Sequence, residues 1–191
     1  MTDLARIGAG LGELAALAHR TAATLATLEP VVRAMRATLA RDGTLFFAGN
    51  GGSAADAQHL AAEYVVRYHQ TQRRALRAIA LTTDTSLLTA VGNDLGFAEV
   101  FARQLEALAR PGDLLVLHST SGNSRNCVRA AERARELGVE VVAFLGGDGG
   151  ALAHLVDASF IVPDSRVNHV QEMHLALQHQ IAALLTAEFG G

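Results

Sequence analysis

The sequence predicts an α/β protein in which a five-stranded parallel sheet is flanked by helices on both faces and preceded by two helices. Short apolar runs alternate with stretches of helical spacing along the 191 residues. The runs are apolar throughout rather than alternating, as in strands buried on both faces. Two of them end in glycine- or hydroxyl-rich turns that lead straight into helices, which places both turns on the ligand-binding edge of such a sheet.

Asp3–Leu28 carries apolar residues at helical spacing (Leu4, Ile7, Leu11, Leu14, Leu17, Ala18, Leu25, Leu28). Pro30 suits the first turn of a second helix, which ends near Arg41-Asp42-Gly43 with Gly43 as the expected C′ residue. The apolar faces of these helices suit either an oligomer surface or packing on the sheet. Leu45-Phe46-Phe47-Ala48 is the first strand, Gly49-Asn50-Gly51-Gly52 breaks it, and Ser53 is the expected N-cap of a helix over Ala54–Tyr64. Arg77–Leu81 is a second strand. Asp84 caps a short helix through Val91, Gly92–Gly96 is a loop, and Phe97–Ala109 has helical spacing. Pro111-Gly112-Asp113 turns into the strand Leu114–His118, and Ser119–Ser124 leads into a helix over Arg125–Leu137. Val139–Leu145 and Ala158–Val162 are the remaining strands, separated by a glycine-rich turn and a short helix. Asn168–Glu188 is a long final helix. No repeat or linker divides the chain, so residues 1–191 read as one domain, with 1–43 supplying helices for packing or assembly.

Composition narrows the chemistry. A net charge of −3 argues against a nucleic-acid partner. All 16 basic residues are Arg, which excludes lysine Schiff-base chemistry. Cys127 is the only cysteine, so no intrachain disulfide is possible. Asp3, Arg6 and Glu13 interrupt the first apolar stretch, and no window of about 20 residues is free of charge, so neither a signal peptide nor a membrane partner is expected. A cytoplasmic location is the expectation.

The strand–turn–helix at Thr44–Glu63 aims backbone N–H groups and a helix dipole at an anion. Ser119-Thr120-Ser121-Gly122-Asn123-Ser124 adds four hydroxyls in six residues at a second helix start, enough donors to hold a phosphate monoester without lysine. It lacks the Gly-Lys-Ser/Thr ending of a Walker loop, and Ala54 stands where a dinucleotide fingerprint needs its third glycine. His59 and Glu63, at i and i+4, share a helix face. Gln171 and His179 lie on neighbouring faces of the last helix, about 12 Å apart along its axis. These two imidazoles, one carboxylate and one amide oxygen suit a zinc-like ion, and Glu63 and His179 equally suit a paired base and acid. His69, His118, His154, His169 and His174 show no such pattern and read as structural or exposed.

GNGGSAADAQHLAAE, VGNDLGF, STSGNS, GGDGG and VQEMHLALQH, in this order and spacing, resemble the phosphoheptose isomerases of the sugar-isomerase (SIS) superfamily. The resemblance spans nearly the whole chain. It implies a SIS-type sandwich, a homotetramer with sites at subunit interfaces, and conversion of the sugar phosphate D-sedoheptulose 7-phosphate to D-glycero-D-manno-heptose 7-phosphate for nucleotide-heptose synthesis. It implies that Glu63 and His179 are the acid/base pair. Asn50, Gly51, Ser53, Asp94, Ser119, Thr120, Ser121, Ser124 and Gln171 would bind substrate, and His59, Glu63, Gln171 and His179 would bind Zn2+. Two positions depart from the pattern: Asn168-His169 stands where relatives often have Asp-Arg, and Ala54 where some have a larger polar residue. A regulator of the same fold that binds the replication initiator would lack the last-helix His, which this chain keeps. Isomerisation of another sugar phosphate is the other alternative.

Overall fold

The structure is a computed structural model, and it describes residues 2–68 and 73–189. His69 therefore lies outside the described residues. Five parallel strands, β1 (Leu45–Gly49), β2 (Ala78–Ala80), β3 (Leu114–Ser119), β4 (Glu140–Gly146) and β5 (Ala158–Val162), form one sheet in the order β2-β1-β3-β4-β5. The helices are α1 (Asp3–Ala22), α2 (Glu29–Ala40), α3 (Gly52–Val65), α4 (Thr85–Asp94), α5 (Ala102–Leu108), α6 (Arg125–Glu136), α7 (Leu152–Leu155) and α8 (Val167–Phe189).

Strand side chains alternate between two cores, as the pleat requires. Phe47, Val116 and Phe144 face a core built by α1, α2, α3 and α8, which contribute Leu17, Met35, Leu60, Tyr64 and Val170 among others. Phe46, Leu117 and Leu145 face the opposite core, against Val91, Leu105, Ala130 and Leu152 of α4 to α7. The chain thus leaves β1 and β3 in opposite directions, and a crevice opens between their carboxyl ends. That crevice is framed by the two turns singled out in the sequence.

Local chemistry accounts for the departures from expectation. The first helix stops at Ala22, and Leu25–Leu28 is a separate 3-10 turn before Pro30 opens α2. At the end of α2, Gly43 N–H bonds to Thr38 O at 2.9 Å and Asp42 N–H to Leu39 O at 3.2 Å. The left-handed residue is Asp42 (φ 57°), so Gly43 is C″ rather than C′. Asp84 does cap α4, accepting from Leu87 N–H at 2.9 Å, but the helix runs on through Asp94. The stretch expected as one helix over Phe97–Ala109 divides into a 3-10 turn, Phe97–Glu99, and α5.

The face of α1 that was open to two readings divides in the same way. Leu17 and Thr21 are buried, whereas Leu4, Ile7 and Leu11 are 80, 62 and 65% exposed. No helix among the described residues is long and apolar enough to cross a membrane.

Candidate active site

The β1 turn positions the start of α3 through Gly51, which occupies a left-handed conformation (φ 55°) and is the helix N-cap. Ser53 is therefore not the cap but the second residue of the helix, and it is buried. Across the crevice, Ser124 has the extended backbone of an N-cap and makes no side-chain capping bond. The first backbone bond of α6 is Val128 N–H to Ser124 O at 3.0 Å, so the amides of Arg125, Asn126 and Cys127 form the open end of that helix. Ser119 is buried and its Oγ accepts from Gly122 N–H, while Ser121 is exposed and its Oγ accepts from Asn123 N–H. Thr120 sits between them, half-buried.

The two turns are clamped together by a reciprocal amide pair. Asn50 Nδ2–H donates to Asn126 Oδ1 at 2.9 Å, and Asn126 Nδ2–H donates back to Asn50 Oδ1 at 2.8 Å. Beside this pair is a cleft of about 680 Å³, lined by Asn50, Gly51, Phe97, Ser124 and Arg125 among others. That is ample for a phosphorylated sugar. Asp94 is exposed at the end of α4, bonded by Asn93, two residues before cleft-lining Gly96. Cys127 lies buried beneath Asn50, and burial pushes its thiol up to about 12, away from the reactive thiolate form.

The second half of the site lies where α3 packs on α8. His59 Nε2 stands 2.8 Å from His179 Nε2, with the rings edge-to-face, and 3.5 Å from Glu63 Oε1. Tyr68 stacks on His179 with ring centres 5.7 Å apart, and Arg73 donates to the Glu63 carbonyl. Gln171 is not joined to the imidazoles. It lies a helical turn or more away, against Gly52, where an added Cβ would come within 2.5 Å of its Oε1. Three of the four residues expected to hold a cation are thus gathered, and the fourth borders the β1 turn.

Two residues of this region escaped the sequence reading. Asp56 shares the α3 stripe of Gly52, His59 and Glu63. It is buried, its Oδ2 has no hydrogen-bond partner among the described residues, and burial pushes its carboxyl up to about 6 against the opposing pull of His59. Its spacing, three residues before His59 and seven before Glu63, was the available signal. Asn126 left none, since its partner is 76 residues away.

Residues 11–146 match the SIS domain family, so the fold and its crevice define a sugar-isomerase domain. The chain is 52% identical over 164 residues to the phosphoheptose isomerase of Akkermansia muciniphila, covering 86% of each chain. It superimposes with a TM-score of 0.90 on the phosphoheptose isomerase of Neisseria gonorrhoeae, at 40% identity over 97% of this chain and 100% of that one. The same score holds for a phosphoheptose isomerase from Francisella tularensis, at 33% identity over 98% and 100%. This chain belongs to the phosphoheptose isomerase family.

Proposed function

We propose that the chain interconverts D-sedoheptulose 7-phosphate and D-glycero-D-manno-heptose 7-phosphate through an enediol, in the cytoplasm, ahead of nucleotide-heptose synthesis. The observation that carries this reading is the convergence of Glu63, His59 and His179 at one end of the α3–α8 seam. The other end meets a phosphate-sized cluster of hydroxyls and open amides. The phosphate would be held by Ser119, Thr120, Ser121 and Ser124 and the first amides of α6, with Ser53 behind the β1 turn. Asn50, Gly51, Asp94 and Gln171 would meet the sugar hydroxyls.

An aldose–ketose isomerase moves one proton between adjacent carbons and one between their oxygens. Glu63 takes the proton from the carbon beside the carbonyl and returns it to the neighbouring carbon. His179 serves the oxygens, so that charge never accumulates on the enediol. His59, in contact with both, orients the pair.

The same residues fit a zinc-like cation in donor type: two imidazole nitrogens and a carboxylate oxygen stand within 3.5 Å of His59 Nε2 or include it. Among the described residues no group of three His, Cys, Asp or Glu side chains is placed to hold a metal ion, so His59, Glu63 and His179 would have to draw closer, with Gln171 or substrate completing the shell. When bound, the cation would polarise the carbonyl and hold the enediolate oxygens.

A homotetramer is supported by the exposed Leu4, Ile7 and Leu11 stripe and by the apolar groove that Val32, Leu177, Ile181 and Leu184 line between α2 and α8. Sedimentation at the mass of a single chain would remove it. Incubating the purified protein with D-sedoheptulose 7-phosphate tests the reaction itself. An aldoheptose 7-phosphate product is expected, and saturable binding without product would refute it.

A further inference from the structure

A buried polar seam lies on the sheet-facing side of α8. His118 and Gln178 are both 0% exposed, and Gln178 Nε2 lies 3.1 Å from His118 Nε2. His118 is clasped between Phe47 and Phe144, with ring centres 6.3 and 5.3 Å away and planes within about 21° of its own. One turn earlier on α8, His174 Nε2–H donates to the Leu145 carbonyl at 3.0 Å. Burial pushes both imidazoles down, His118 to about 3 and His174 to about 4, so both are neutral at ordinary pH. An amide nitrogen only donates, so Gln178 Nε2–H donates to His118 Nε2.

The seam is incomplete as a stability device. Among the described residues His118 Nδ1, His174 Nδ1 and Gln178 Oε1 have no hydrogen-bond partner, and an apolar trio of similar volume would pack with no such penalty. Its placement indicates another use. His118 is the residue before Ser119 and pairs in register with Gly49, so it stands at the root of both site turns. Leu145, the acceptor of His174, pairs in register with Ser119. Gln178 directly precedes His179. Two polar ties one helical turn apart fix the rotation of a helix about its axis, which a purely apolar face leaves free to slip. Rotation of α8 would swing the Gln171–His179 edge away from α3.

We infer that Gln178 and His118 are positioning residues: their bond locks α8 to the root of the hydroxyl-rich turn and so holds His179 against His59 and Glu63. This rests on the proposed part of His179 in isomerisation. The test is the double variant His118→Leu/Gln178→Leu beside each single variant, with Gln178→Met as a near-isosteric second way of breaking the bond.

The expected result for the double variant is a melting temperature at or above that of the unaltered protein, with kcat lower by about ten- to a hundredfold and KM within about twofold. Because one bond is being removed, the double variant should be no slower than the slower single one. Nitrogen-15 spectra of the imidazoles should show the His179 ring moving in every variant, including Gln178→Met. Unaltered kcat together with unaltered His179 signals in the folded variants would overturn the proposal. The spectra decide it even if the unaltered protein proves inactive on heptose phosphates, an outcome that would instead refute the functional reading.

Discussion

At the scale of single residues, the site is an exercise in exposing polar groups selectively. Glu63 is half-buried and touches His59, whereas Asp56, a stripe-mate one to two turns earlier, is buried and held partly protonated near neutrality. The carboxylate that must gain and lose a proton each turnover is thus the more solvated of the two. Replacing Glu63 with Gln keeps shape and removes basicity. Turnover should fall by about a thousandfold, within the range of a lost general base, while sugar-phosphate binding persists. Steady-state kinetics beside calorimetric binding would check this, and near-normal turnover would remove Glu63 as the base. His59, Glu63 and His179 were legible in the sequence because helical spacing placed the first two on one face. Asn126, Gln178 and His118 were not, because their partners are distant along the chain and their residue types are common in ordinary turns and cores.

At the scale of elements, glycines decide how closely the turns approach their neighbours, and two of them make opposite predictions. The atoms nearest a Cβ at Gly52 would be the end of the Gln171 side chain, at 2.5 Å, which can move aside. Gly52→Ala should leave the melting temperature nearly unchanged and reduce kcat/KM by displacing Gln171. A Cβ at Gly122 would fall 1.8 Å from the Gly149 carbonyl oxygen, at a left-handed backbone position (φ 64°), so backbone must yield to backbone. Gly122→Ala should cost on the order of 3 kcal/mol of stability. Urea unfolding of the two variants separates them; equal losses would contradict the geometry. The strands and their parallel arrangement were readable from apolar runs bounded by Gly, Pro and Ser; their order in the sheet was not. Element ends were less so. The Schellman ending at Asp42, the early stop of α1 and the break after Glu99 all depend on backbone hydrogen bonding that tolerates many sequences.

At the scale of the whole molecule, two neutral imidazoles lie in one core. His118 and His174 take up protons more readily unfolded than folded, because burial lowers their folded values to about 3 and about 4 from 6.5. Above pH 6.5 neither contributes to the pH dependence of stability; below it the unfolded state gains protons and stability is lost. Each contributes about 1.4 kcal/mol per pH unit at most, until its folded value is reached. Asp56 opposes them between about 6 and 3.8, since its folded form binds the proton more readily. Two imidazoles outweigh one carboxylate, so the urea midpoint should fall from about pH 6.5 to 4.5. A flat profile would mean that water reaches the seam and charges it freely.

The measurement that bears most directly on the central claim is isomerisation of D-sedoheptulose 7-phosphate in deuterated water, followed by NMR with and without a chelator. The expected product is an aldoheptose 7-phosphate that carries solvent deuterium at the carbon next to its carbonyl, a signal lost in Glu63→Gln, with slower turnover on chelation if a cation sits at His59, Glu63 and His179. A product formed at full rate without deuterium, in the unaltered protein and in Glu63→Gln alike, would contradict an enediol made by this pair.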